Sequence, residues 1–194
     1  MARKSETKPI SEADRRKAEI EIKERQDEID YDSRHFTIDY IVQQFNADEL
    51  YISNYQRPFV WRDKQKMRFI ESVILGLSLS PMLFAADDDG RLEIVDGGQR
   101  VQTLEAFLND DLRLSGLEKL PSLNGFTFSD LPTSQQRKFV NRTLRVVVFE
   151  NTTTEQTLLE IFERINISGV KTNSNEIRNQ LGEIYVRRDQ KHTR

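Results

Sequence analysis

A chain of 194 residues is long enough for one medium domain with a substantial core and cramped for two. Apolar residues make up 37% and charged residues 31%, a polar balance that predicts segments lying outside any core. The 29 Lys and Arg against 32 Asp and Glu give a net charge of -3, which excludes a polycation that coats nucleic acid by charge alone and leaves phosphate binding to a local site. There is no cysteine, and the two histidines, His35 and His192, stand at opposite ends. Disulfides, thiol nucleophiles and Cys-rich zinc sites are thereby excluded, and histidine-rich metal chemistry is not expected. Met1 to Glu6 lacks the apolar core of a signal peptide, and no apolar run approaches the roughly 20 residues that span a bilayer, so a soluble cytoplasmic protein is expected.

From Ser11 to Asp30 the sequence is dominated by charge, with Ile20, Ile22 and Ile29 as its large aliphatics. These build no broad helical stripe, so a solvated helix or partly disordered arm is expected, opened by Ser11 with Asp14 and supported by the Glu21–Arg25 pair. The globular part is expected to begin near Phe36, where Phe36, Ile38, Ile41, Val42 and Phe45 have helical spacing. Leu50-Tyr51-Ile52 reads as a short strand leading to Gln56-Arg57-Pro58-Phe59-Val60-Trp61. Met67, Ile70, Val73, Ile74 and Leu77 then form one face of a helix, with Gly76 at its C-terminal cap.

Pro81 to Ala85 and Arg91 to Val95 are two β-prone runs around Asp87-Asp88-Asp89-Gly90, a hairpin signal. The three carboxylates are contiguous, without the spacing of a calcium loop, and read as a solvated turn. Asp96-Gly97-Gly98-Gln99-Arg100 follows, then Val101, Leu104, Phe107 and Leu108 at helical spacing: a strand, a glycine turn and a helix start. Arg113 to Gly125 is an irregular excursion. Thr133 with Gln136 suggests a capped short helix ending near Asn141, and the apolar run Leu144 to Phe149 predicts a strand inside the sheet. Thr153 with Gln156 opens a further helix carrying Leu158, Leu159, Phe162 and Ile165, broken at Asn166-Ile167-Ser168-Gly169, and a last helix opens at Asn173.

A Ser-His-Asp or Cys-His system needs a base beside the nucleophile, and His35 and His192 flank the expected core rather than enter it. The Walker A pattern is absent. What remains is the strand-turn-helix at Asp96 to Arg100. Its glycines let the backbone approach a ligand, and a helix N-terminus favours an anion. Arg100 in the first turn opposes the helix dipole, so its guanidinium is a candidate fork for phosphate or carboxylate. Asp96 has three open roles: holding that arginine, capping the helix, or ligating a Mg²⁺ that travels with a nucleotide. A plain Gly-rich capped helix start is the competing reading.

The three stretches Gln56 to Trp61, Asp96 to Arg100 and Asn166 to Lys171, in this order, resemble a widespread prokaryotic family with a ParB/sulfiredoxin-like fold and an Asp-Gly-Gln-Gln-Arg hallmark. The same domain forms the N-terminal, nucleotide-handling half of GmrSD-type, modification-dependent restriction enzymes. Ile70 to Leu77 running into Pro81, Thr103-Leu104, Phe162 to Ile165, and Asn173 with Glu176, Ile177 and Arg178 extend the match over roughly Phe36 to Leu181.

The resemblance implies an α+β fold, a small mixed sheet with packed helices, arranged as a charged arm over 1–34, a nucleotide-binding domain over 35–182 and a polar basic tail over 183–194. It implies binding of a nucleoside triphosphate with Mg²⁺, hydrolysed in some members, and no zinc, haem or flavin. Carried over, Gln56, Arg57, Gly97, Gly98, Arg100, Asn166 and Gly169 would hold the nucleotide, Asp96, Gln99 and Arg100 would be catalytic, and Asp96 would meet the metal. Two departures stand out: Gly98 replaces the first glutamine, and Ser168-Gly169 replaces a usual pair of glycines. The histidine-metal nuclease that often follows in the family is not expected on this chain, which leaves a partner-supplied effector, a sensing module, or a longer protein.

The leading expectation is a nucleotide-binding, NTP-hydrolysing or merely NTP-sensing regulatory module of a DNA-targeting defence system, with homodimer formation open and no membrane partner. The alternative is a non-catalytic DNA- or protein-binding module using Arg137, Lys138, Arg142 and Arg145. A ParB-like nuclease limited to carboxylates such as Glu93, Asp96 and Glu176 ranks third.

Overall fold

The computed structural model describes residues 10–27, 31–52 and 61–150. In chain order these form α1 (Glu12–Asp27), β1 (Tyr31–Thr37), α2 (Ile38–Asn46), β2 (Leu50–Tyr51), α3 (Asp63–Leu75), β3 (Met82–Ala86), β4 (Leu92–Asp96), α4 (Gly98–Leu108), a 3-10 turn (Pro121–Leu123), α5 (Thr133–Val140) and β5 (Thr143–Phe149). The strands make one five-stranded sheet in the order β1-β5-β3-β4-β2. β1 with β5 and β3 with β4 are antiparallel, whereas β5 with β3 and β4 with β2 are parallel. The expected α+β class, a mixed sheet with packed helices, is the architecture found.

β5 lies between β1 and β3, and its run Val146 to Phe149 is buried on both faces, which accounts for its unbroken apolar sequence. On one face, Met82, Phe84, Ile94, Leu144, Val146 and Val148 meet Ile38 and Ile41 of α2, Ile70 and Val73 of α3, Val101, Leu104 and Phe107 of α4, and Phe139 of α5 in one core. α3 ends as its sequence predicts, with Gly76 in the left-handed region at φ 77 closing the last turn.

α1 is capped reciprocally, Ser11 N donating to Asp14 Oδ2 at 2.9 Å and Asp14 N to Ser11 Oγ at 3.2 Å. Its side chains are exposed from Glu12 to Glu24, as a helix without an apolar stripe must be.

Three local expectations are corrected. The helix expected from Phe36 begins at Ile38, because Thr37 is its cap and accepts from Tyr40 N at 3.2 Å, while Phe36 lies in a strand. That strand, β1, starts at Tyr31, so the expected arm boundary at residue 34 falls inside the sheet. The Thr133–Gln136 capping box does not form: Pro132 caps α5, and Gln136 Nε2 reaches back to the carbonyls of Ser129 and Leu131 at 3.0 and 2.7 Å. The excursion after α4 is irregular but pinned. Glu71 of α3, 6% exposed, accepts from Lys119 N and Leu120 N at 2.7 and 2.9 Å, and Leu112, Leu114 and Leu117 plug the core.

Candidate functional site

The junction from β4 into α4 is built by two backbone irregularities. Phe84 pairs with Ile94, but Leu83 pairs with Asp96, so one extra residue of β4 is accommodated at the strand end. Without this bulge, strict alternation would turn Asp96 toward the core face of Ile94; the shift sets it opposite Leu83 instead. Gly97 follows at φ 109 and ψ 3, a conformation that carries no side chain without strain, and a Cβ there would stand 2.7 Å from Cγ of Met82. The chain therefore turns bare and close-packed into α4.

The first α4 hydrogen bonds run from Arg100 N and Val101 N to Gly97 O, at 2.9 and 3.0 Å. The amides of Gly98 and Gln99 come before any carbonyl the helix itself can offer, at the positive end of its dipole.

Asp96 and Arg100 meet across this turn, Arg100 Nη2 donating to Asp96 Oδ2 at 2.6 Å, with the two side chains 12% (Arg100) and 23% (Asp96) exposed. Arg100 is also tied to the segment entering β3, through Nη1 to Ser80 O at 2.6 Å and Nη2 to Pro81 O at 3.2 Å. The guanidinium is thus a clamp between the α4 start and the β3 start. Of the roles open to Asp96, the structure shows the first, holding the arginine.

Gln99 does a related job. Its Oε1 accepts from Trp61 N at 2.9 Å and its carbonyl accepts from Thr103 Oγ1 at 2.6 Å, while the Trp61 ring stacks edge-on against Phe69 at 5.5 Å. The amide joins the end of the Gln56 to Trp61 stretch to the α4 N-terminus, which sequence spacing alone does not show. The structure therefore brings together Asp96, Gly97, Gly98, Gln99 and Arg100, with Trp61 beside them. Gln56, Arg57, Asn166 and Gly169 lie outside the described residues.

The carbonyls of Ser80 and Pro81 belong to the site through Arg100, and their only sequence signal is the proline before the strand. Asp87, expected with its neighbours to form a solvated turn, is instead an anchor, 14% exposed. It accepts from Asp89 N and Arg91 N at 3.0 and 2.9 Å, from Arg91 Nη2 at 3.2 Å, and from the Tyr51 hydroxyl at 3.3 Å. Burial, then the carboxylates of Glu93 and Asp87, raise the Tyr51 phenol far above its usual range. Arg91 covers the same ring, 5.0 Å from its centroid.

Arg137 and Lys138 are exposed in the last turn of α5, while Arg142 is half-buried with its guanidinium laid against Gly76. Arg142 is therefore a packing residue rather than a third member of an exposed row. Among the described residues no three His, Cys, Asp or Glu side chains gather to hold a metal ion, and no helix is long and apolar enough to cross a membrane.

Comparison with known proteins places this chain in a family. No curated protein matches the chain. Among solved structures, the C-terminally truncated chromosome-partitioning protein ParB from Caulobacter crescentus, complexed with CTP-gamma-S, is similar at 19% identity with a TM-score of 0.36, over 73% of this chain and 56% of that one. The model of the GmrSD restriction endonuclease N-terminal domain matches residues 37–182. That stretch is well over half of the chain and holds β2 to β5, α2 to α5 and the turn at Gly97, so the chain belongs to the family of GmrSD restriction endonuclease N-terminal domains.

Proposed function

We propose that this domain binds a nucleoside triphosphate at the β4–α4 turn and serves as the nucleotide-responsive regulatory module of a DNA-targeting restriction system. The observation that carries the reading is Gly97, held at φ 109 against Met82, so that bare backbone passes the positive end of α4 beside an ion-paired arginine. A plain helix cap needs neither the bulge that re-aims Asp96 nor an arginine in the first turn.

In this reading the phosphates lie over the amides of Gly98 and Gln99. Arg100 meets them from a fixed position, because its bonds to Ser80 O and Pro81 O hold the guanidinium whether or not Asp96 stays paired. Gln99 acts as a positioning residue through Trp61. Mg²⁺ would arrive with the nucleotide, and Asp96, already paired with Arg100 through Oδ2, is the carboxylate that would meet it. Bound there, it would neutralise phosphate charge. Gln56, Arg57, Asn166 and Gly169 complete the proposed site on family resemblance. Binding is proposed ahead of hydrolysis, since Gly98 has no side-chain carboxamide to orient a water.

Isothermal titration with Mg²⁺ and each ribonucleoside and deoxynucleoside triphosphate tests this. Wild-type protein is expected to bind at least one, and Arg100→Ala to lose binding while keeping its far-UV circular dichroism. Silence of the wild type toward all of them refutes the reading. A second reading, contact with a DNA backbone, is favoured by the exposed Arg137 and Lys138; it requires a gel shift that weakens steeply with salt and with both changed to Ala.

A further inference from the structure

Packing explains where Arg142 lies but not why its donors go unused. It stands in the turn between α5 and β5, half-buried, with its guanidinium on the bare backbone of Gly76, where a Cβ would collide with Nη1 and stand 3.2 Å from Cζ. Nε is buried without a hydrogen-bond partner, and among the described residues no acceptor engages the terminal nitrogens. The negative end of α3, which Gly76 closes, favours a cation here. A guanidinium withdrawn from water nevertheless ordinarily finds acceptors for its N–H groups.

The surroundings show which chemistry is missing. Residues 72–86 and 131–149 hold no Asp or Glu, while the second stretch holds Arg137, Lys138, Arg142 and Arg145. Arg137 and Lys138 are exposed in the last turn of α5, just before Arg142. Asp39, in the first turn of α2, already accepts from Gln43 Nε2 at 2.7 Å. Apart from Ile10 and the isoleucines of α1, the exposed large hydrophobic residues among those described are Tyr31, Tyr40, Leu75 and Leu77. Leu75 and Leu77 flank Gly76, 41% and 57% exposed. Tyr40 follows Ile38 by two residues, and the Ile38 amide donates to the Arg142 carbonyl at 3.0 Å. Three of the four therefore gather where the arginine lacks an acceptor.

We propose that this surface docks a carboxylate-bearing, apolar segment of another protein, Arg142 taking the carboxylate through its terminal nitrogens and Leu75 with Leu77 taking the aliphatic part. A carboxylate matches the planar fork, and arginine is the cation of choice in such interfaces. A nucleic-acid backbone would use Arg137 and Lys138 but set two exposed leucines against phosphate, so a protein is the better fit. The surface lies on the connection from α3 to β3, whose Ser80 carbonyl, four residues past Gly76, holds Arg100. A protein seated there adjoins the support of the β4–α4 turn.

The test titrates 4-methylpentanoate, a carboxylate with a leucine-like tail, into the full chain with its arginine Nε–Hε and leucine methyl resonances labelled. The signals of Arg142, Leu75 and Leu77 are expected to shift together and saturate at roughly millimolar concentration, with acetate about tenfold weaker. Arg142→Lys, which keeps the charge and loses the fork, and Leu77→Ala, at an exposed position that folding does not depend on, should each weaken binding by about three- to tenfold. No saturable shift in the wild type, or undiminished binding in Arg142→Lys, overturns the proposal. It is equally overturned if a short DNA duplex shifts the Leu75 and Leu77 methyls together with Arg142, which assigns the surface to nucleic acid. Shifts of the same signals on dilution of the protein alone assign it to a second copy and overturn it as well.

Discussion

Gly97→Ala should destabilise the domain more than a glycine in a left-handed conformation normally does, and the excess measures how closely the turn is packed. Holding a residue with a Cβ at φ 109 costs about 1–2 kcal/mol on its own. The new methyl would also stand 2.7, 3.0 and 3.1 Å from Cγ, Sδ and Cβ of Met82, a residue 1% exposed with little space to retreat. Overpacking of this kind costs about 1–3 kcal/mol, moderated here by the flexible thioether. The expected total is about 2–4 kcal/mol out of the roughly 5–15 kcal/mol that stabilise an ordinary domain.

Gly90→Ala is the matched control, because Gly90 also has a positive φ, 83, but a Cβ there meets nothing within 4 Å. Urea unfolding of both variants at unchanged m separates the two contributions. Gly90→Ala should lose only the conformational part, about 1–2 kcal/mol. Equal losses in the two variants would refute the argument that Met82 closes the turn, and a loss under about 0.5 kcal/mol at Gly97 would refute the strain itself.

Glu71→Ala leaves the Lys119 and Leu120 amides without their acceptor and is expected to cost about 2–4 kcal/mol by urea unfolding, with Glu71→Gln, which keeps an oxygen in place, costing about half as much; an unchanged midpoint in the alanine variant would refute the pin. The Tyr51 phenol is held above its ordinary value of 10.0, so the neutral form is favoured in the folded state, its contribution to stability is complete below pH 10, and it is lost as pH rises beyond. In a near-ultraviolet titration Tyr51 should ionise above the ordinary tyrosine range, and Tyr51→Phe should remove that step and flatten the alkaline decline in stability; a normal titration would overturn the assignment.

The apolar periodicities of α2 to α4 and the unbroken run of β5 were legible because burial there demands particular residues at particular intervals. β1 was not legible for the opposite reason. Tyr31, Asp32, Ser33, Arg34 and His35 sit on an edge strand that is joined to β5 by backbone hydrogen bonds, which any sequence can make. Gln136 carried a capping signature, but Ser129 and Leu131 offered its amide nitrogen better-placed carbonyls. Asp87 is by sequence one solvated carboxylate of three, and only the fold brings Tyr51, 36 residues away, to bond it.

At the candidate site the division is sharper. Residue type and spacing by themselves determined that Asp96, the glycines and Arg100 would stand at a strand-turn-helix junction, because Gly97 must take a positive φ and Arg100 must follow within one helical turn. Only the tertiary structure decided that Arg100 is clamped by Ser80 and Pro81, that a bulge turns Asp96 toward it, and that Gln99 holds Trp61. The reason is physical: local spacing governs which side chains share a turn of helix, whereas the acceptors that satisfy a half-buried guanidinium come from wherever the fold brings a carbonyl within 3 Å or so.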